Sequence, residues 1–266
     1  MRALSPRLTA VLFTSFVLSA CVAGDAGPPW SRMVDLSHPF DQDTIYWPTE
    51  EGFVLEREFA GMTEGGYYYE AHRFRGAEHG GTHLDAPIHF AEGAAAVDDL
   101  HPSELSGVAV LIDVSEAAAR DRDYLVTQRD IEDWEERHGL LPRSAIVLLR
   151  TGFSQHWPDR TPYLGTELRG PEGVAALHFP GLDPAAARWL VGNRRIRAIG
   201  IDTASIDHGP STGFEAHRVL FAAGIPAFEN LNALERLPAT GFAVVALPML
   251  IADGSGAPLR IVALLP

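Results

Sequence analysis

Residues 79–89 read HGGTHLDAPIH. Three histidines and an aspartate fall within eleven residues, together with two glycines and a proline. How this stretch folds decides what it can do. His79 and His83 stand four apart, the spacing of one helical face, but Gly80, Gly81 and Pro87 make a helix poor here. An extended chain suits the pattern better. Side chains then alternate, with His83, Asp85, Pro87 and His89 on one face and Leu84, Ala86, Ile88 and Phe90 on the other. The first face carries chemistry and the second packs into a core. The glycine pair lets the backbone turn so that His79 joins the first face. Two imidazoles and a carboxylate then gather at one point, with His89 about 13 Å along the strand from Asp85 at ~3.3 Å per residue. The plainer alternative is a polar edge strand with solvated histidines.

A metal would draw ligands from elsewhere too, and His217 and Glu229 are the best candidates. His217 falls in a predicted helix, Phe214 to Ala223, closed by Gly224. Glu229 falls in a short predicted strand, Ala227–Asn230. A carboxylate beside Phe228 is costly to bury unless it is paired or metal-bound. Taken singly, His217 reads equally as a helix-face histidine satisfied by a carboxylate, and Glu229 as a solvated strand-end acid.

The rest of the chain supplies a scaffold. Apolar runs at Gly107–Val114, Ala145–Arg150, Ile196–Ile201, Phe242–Leu247 and Leu259–Leu264 predict strands covered on both faces. Tyr67–Phe74 predicts a more polar strand. Thr127 with Asp130 opens one helix in the manner of a capping box, and Asp183-Pro184 opens another. Strands alternating with few helices predict an α/β domain with a mixed sheet. No linker divides it, so one domain is expected over residues 33–266.

The 266 residues, 46% hydrophobic and 21% charged, fit an ordinary globular protein. A net charge of −14 disfavours nucleic acid as a partner. Residues 1–20 read as a signal peptide, with Arg2 and Arg7 ahead of an apolar run, Leu8 to Leu18, too short to span a bilayer. Leu18-Ser19-Ala20-Cys21 resembles a bacterial lipobox, which implies lipidation of Cys21, the only cysteine. Residues 21–32 then form a tether. The expected location is the periplasmic face of a bacterial membrane, held there only by the lipid.

His79-x-Gly81-Thr82-His83-x-Asp85-x-Pro87-x-His89 resembles the HxGTHxDxPxH signature of the metal-dependent "cyclase" family, which includes bacterial kynurenine formamidase and isatin hydrolase. Further similarity lies at Asp35-Leu36-Ser37, Tyr46-Trp47-Pro48, Arg150-Thr151-Gly152, Asp202 to Asp207, Glu229-Asn230-Leu231 and Gly256 to Ala263. The resemblance implies a swivelling β/β/α fold and one or two divalent ions, Zn or Mn. It implies that His79, His83 and Asp85 hold one ion and that Asp85 bridges to a second, completed by His217 and Glu229. It implies His89 as general acid/base, Trp47 against the substrate ring, and a homodimer or higher oligomer.

The chemistry agrees with that implication. A His/Asp/Glu set suits Zn²⁺ or Mn²⁺, which activates water toward an amide or lactam carbonyl. His89, at its ordinary pKa, would relay the proton to the leaving nitrogen. Asp85, Asp202 or Asp207 would orient histidines from behind, although the last two serve equally as turn caps. Two competing readings are weaker. Gly209-Pro210-Ser211-Thr212-Gly213 fits the GxSxG nucleophile elbow, yet Ser211 stands too far past the strand at Ile201. An exported, non-catalytic binder of metal or small molecules would have no need of every catalytic position. Among substrates, export favours an isatin-like lactam, another cyclic amide or a lactone over N-formylkynurenine.

Overall fold

The computed structural model describes residues 30–266. The signal segment, Cys21 and most of the tether lie outside the described residues. The strands in chain order are β1 (Arg32–Asp35), β2 (Val54–Met62), β3 (Tyr68–Arg75), β4 (His83–Asp85), β5 (Ser106–Asp113), β6 (Leu125–Val126), β7 (Ile146–Arg150), β8 (Gly181–Leu182), β9 (Ala198–Ile201), β10 (Ala227–Glu229), β11 (Phe242–Pro248) and β12 (Gly256–Leu265). The helices are α1 (Ser115–Arg120), α2 (Gln128–His138), α3 (Arg160–Leu164), α4 (Gly170–Ala175), α5 (Pro184–Trp189) and α6 (Glu215–Ala222). The expected tether ends earlier than residue 32. Ser31 already donates its N–H to the Leu265 carbonyl at 2.8 Å, and Arg32 pairs with Leu265.

Eight strands form the main sheet in the order β1-β12-β11-β5-β7-β9-β10-β4. β5, β7, β9 and β10 run parallel, and the remaining pairs are antiparallel. β4 also pairs with β12, which curls the sheet into a barrel-like closure. This is the mixed-sheet α/β architecture read from the sequence. Its parallel strands are continuously apolar because both faces are covered. Ala109, Leu111, Ile146 and Leu148 point into the closed side with Leu84, Phe228, Val244 and Ile261. Val110, Ile112, Val147 and Leu149 point outward onto Ile131 and Trp134 of α2, Ala186 of α5 and Leu220 of α6.

Local signals explain the helix starts. The Thr127 hydroxyl accepts from the Asp130 N–H, and the Asp130 carboxylate accepts from the Thr127 N–H at 2.7 Å, a closed capping box. The Asp183 side chain caps α5 at Ala185 N–H, with Pro184 in the first turn. β2 and β3 form a separate hairpin that exposes Leu55, Met62, Tyr68 and Phe74.

The stretch that opened the reading is extended only in part. β4 stops at Asp85, and Pro87–His89 closes into a 3-10 turn in which the His89 N–H donates to the Ala86 carbonyl at 2.9 Å. Proline at the first helical position explains the change, because its fixed φ favours a turn and its missing N–H cannot serve a ladder. The strict alternation expected through Phe90 therefore ends after Ala86.

Gly80 is fixed by a close approach. It bridges Tyr46, and a Cβ there would lie 2.1 Å from Tyr46 Cδ1. Tyr46 is itself buried and cannot swing out freely. Gly80→Ala should therefore destabilise the fold by about 1–3 kcal/mol through overpacking, read as a lower urea midpoint. A wild-type midpoint would contradict this packing.

Candidate metal centre

The register of β4 against β10 creates the site. Glu229 stands directly across from His83, and Ala227 from Asp85. Cross-strand partners share a sheet face, so His83, Asp85 and Glu229 meet there. α6 adds His217 from above. The four residues are no more than 3% exposed. His83 Nε2 lies 3.0 Å from Asp85 Oδ1 and 3.5 Å from Glu229 Oε2. His217 Nε2 lies 3.2 Å from Asp85 Oδ2 and 3.1 Å from Glu229 Oε1. Ligands ~2.0–2.2 Å from one ion are separated by about 3.0–3.5 Å, so these spacings suit a shared cation.

The histidines are aimed from behind. The Gly81 carbonyl, 3.0 Å from His83 Nδ1, can only accept, so Nδ1 keeps its proton and Nε2 is the nitrogen turned to the cluster. Asp207 does the same for His217, 2.6 Å from its Nδ1, and also accepts from the Ala216 and His217 N–H groups. Asp207 is thus both a helix cap and an orienting group. Asp202 is not. It accepts from the N–H and hydroxyl of Thr151 and from the Gly152 N–H, and so buttresses a loop. Asn230 donates to the Gly81 carbonyl at 2.7 Å and accepts from the Tyr163 hydroxyl at 2.7 Å, which extends the support behind His83.

His79 and His89 complete the group on the open side. His79 Nδ1 lies 2.6 Å from Asp85 Oδ1. His89 stacks on His79 with ring centroids 3.8 Å apart. The turn at Pro87 thus folds His89 back to the cluster, in place of the expected extension of about 13 Å along the strand. Two triads have atoms spaced to hold an ion, His79–Asp85–His89 and His83–Asp85–Glu229, and they share Asp85.

The electrostatics are dominated by burial and mutual charge. Burial opposes a charge on His83, but the Asp85 carboxylate outweighs it and raises His83 to about 9. Burial likewise opposes charging of His217, yet its bonds to Asp207, Asp85 and Glu229 hold it well above the ordinary value. Glu229 is raised by burial and by the Asp85 charge. His89 does not keep the ordinary value expected of it, because burial pushes it down to about 4. No arginine pairs with Asp85 or Glu229 among the described residues, and the chain has no lysine. Two buried carboxylates whose only cationic partners among the described residues are imidazoles fit a divalent cation.

The site opens into a cavity of about 420 Å³. Trp47, Phe90 and Phe214 wall it, with Phe214 5.2 Å from Phe90 and 6.2 Å from Trp47 between centroids. The structure therefore brings together all seven sequence-predicted site residues that it describes. Phe90, Phe214, Asn230, Glu78 and Ser255 were not picked out as site residues. Phe214 stands just ahead of the His217 helix at φ 46°, and its sequence position gives no sign of its place in the cavity wall. The Ser211 hydroxyl of the GxSxG match accepts from the Phe214 N–H at 3.2 Å, and no histidine side chain is bonded to it among the described residues.

Residues 34–208 match the sequence profile of the family described as "Putative cyclase". The isatin hydrolase of Roseibium aggregatum is 32% identical over 197 residues, covering 71% of this chain and 72% of that protein. The kynurenine formamidase of Bacillus mycoides is 28% identical, covering 87% of this chain and 97% of that protein. The solved structure of isatin hydrolase A from Ralstonia solanacearum superposes with a TM-score of 0.80 at 31% identity, covering 88% of this chain and 92% of that one.

Protonated His83 and His217 must lose protons before they can bind a cation. Metal affinity should therefore rise with pH up to about 9. Correspondingly, the pairing of His83 stabilises the metal-free fold fully below the ordinary value of 6.5 and is lost as pH rises through about 9. Calorimetric titration with Zn²⁺ in buffers of different ionisation enthalpy should show release of about one to two protons. A buffer-independent heat would contradict this charge state.

Proposed function

The chain belongs to the cyclase family, and from that membership we propose that it is a metal-dependent hydrolase that breaks the C–N bond of a neutral aromatic amide, a cyclic amide of the isatin type above all. The observation that carries the reading is a buried His/Asp/Glu cluster opening onto an aromatic-walled cavity. His79, His83, Asp85, His217 and Glu229 would hold the cation, and Asp85, with one oxygen 2.6 Å from His79 and the other 3.2 Å from His217, supports room for two ions. Imidazole and carboxylate donors suit Zn²⁺ and Mn²⁺ alike. When bound, such a cation lowers the pKa of water and polarises a carbonyl.

The chain's own residues do the rest. Trp47, Phe90 and Phe214 offer faces for a flat ring. His89, held neutral by burial, lines the cavity and is free to accept a proton from the attacking water. The same imidazole can return that proton to the departing nitrogen. No arginine lines the cavity among the described residues. The carboxylate of an amino-acid amide such as N-formylkynurenine finds no guanidinium there, whereas a lactam such as isatin has no carboxylate to pair. That difference supports the lactam over the formamide, as does the identity of 32% to the isatin hydrolase of Roseibium aggregatum against 28% to the kynurenine formamidase of Bacillus mycoides.

Two further parts of the reading rest on other grounds. The sequence alone supports export and lipidation at Cys21. The exposed apolar residues of the β2–β3 hairpin support a homo-oligomer.

With Mn²⁺- or Zn²⁺-loaded protein, isatin should be hydrolysed with a kcat/KM at least about tenfold above that for N-formylkynurenine, a ratio equal to ~1.4 kcal/mol of transition-state stabilisation. Preference for N-formylkynurenine would contradict the neutral-substrate reading, and no hydrolysis of any amide or lactone would contradict the enzyme. His89→Ala should retain metal and lose ~10²–10⁴ in kcat, while His83→Ala should lose metal. Full turnover in His89→Ala would exclude its proton-transfer role.

A further inference from the structure

His83 and His217 are each fixed by a group bonded to the ring nitrogen that does not face the cluster, and His79 has such a group as well. His79 Nε2 lies 2.9 Å from the Ser255 hydroxyl. That hydroxyl lies 2.7 Å from Glu78 Oε2, which also accepts the N–H groups of Ser255 at 3.0 Å and Gly256 at 3.3 Å. A carboxylate oxygen only accepts, so the Ser255 proton points at Glu78. The serine oxygen then has lone pairs left for His79, and the bond between them needs a proton on Nε2. Nδ1 is the nitrogen turned toward Asp85.

The fold delivers this contact through strand register. His79 lies in a loop, outside any helix or strand, so nothing in the local backbone fixes its ring. β12 pairs Gly256 with Asp85, and the Ala86 N–H donates to the Ser255 carbonyl at 2.9 Å. Ser255 is thereby set beside His79, 176 residues away in the chain. Gly256 completes the seat, because a Cβ there would lie 2.4 Å from His79 Cε1. His89 covers the ring face.

We propose that Ser255 and Glu78 are positioning residues that hold His79 in the tautomer that presents Nδ1 to the cation, whereas His83 and His217 present Nε2. The inference rests on His79 being a metal ligand. The Ser255–Glu78 pair then serves the open side of the site, as Gly81 and Asp207 serve its buried side. Removal of a group that orients a metal-binding histidine typically weakens metal affinity by ~10–100-fold.

The test measures metal binding rather than turnover. Zn²⁺ affinity and stoichiometry are determined by competition with a chromophoric chelator for wild type, Ser255→Ala, Ser255→Thr and Glu78→Gln. Ser255→Ala should weaken binding by about 10–100-fold, Ser255→Thr should stay near wild type, and Glu78→Gln should fall between. Histidine ring ¹⁵N spectra of zinc-loaded wild type should show one site ligand bound through Nδ1 and two through Nε2. That signal pattern needs no variant to fold, and His79→Asn should remove the Nδ1-bound resonance. Wild-type affinity in Ser255→Ala, or three rings bound through Nε2, would overturn the positioning role while leaving the metal site standing. No zinc binding by the wild-type chain would overturn the metal reading itself.

Discussion

Two carboxylates, Asp85 and Glu229, are buried side by side with no arginine among the described residues to neutralise them. Burying one unpaired charge costs several kcal/mol, and two like charges in contact cost more. Without metal, the histidines carry the compensating protons, which is why His83 and His217 are raised. A divalent cation does the same work more completely. The surrounding structure serves this one requirement. The β4–β10 register sets Glu229 against His83, and α6 is capped by the carboxylate that also aims His217.

Polar support of this depth is costly to leave half made, because each unsatisfied buried group loses its hydration. Here the chain is closed. Tyr163 holds Asn230, Asn230 holds the Gly81 carbonyl, and that carbonyl holds His83. The Ile206 N–H donates to Glu229 Oε1 at 2.6 Å. Such support keeps donors in place before a ligand arrives, so little reorganisation is needed on binding. The cavity side is built differently, from the aromatic rings of Trp47, Phe90 and Phe214.

Much of this was legible in the sequence. Continuous apolar runs such as 145–150 report strands covered on both faces, and Thr127 with Asp130 reports a helix start. The spacing of His83 and Asp85 reports a shared face because β4 is extended there. Legibility failed where a local rule changed. Alternation predicted His89 far along a strand, but Pro87 turned the chain and stacked His89 on His79. The pKa of His89 was unreadable for a related reason, since burial is a property of the packed cavity. Ser255 was invisible because its contact with His79 depends on the β12–β4 register, which no short segment encodes. Phe214 announced neither its left-handed backbone nor its place in the cavity wall.

The central claim is that these acids and histidines form a cage for a divalent cation. Anomalous diffraction from crystals of protein purified with Zn²⁺ or Mn²⁺ tests it most directly. The expected result is an anomalous peak enclosed by His83 Nε2, His217 Nε2, Asp85 and Glu229, with His79 turned toward it through Nδ1. A saturated crystal with no peak there, or with metal bound only at surface carboxylates, would contradict the claim.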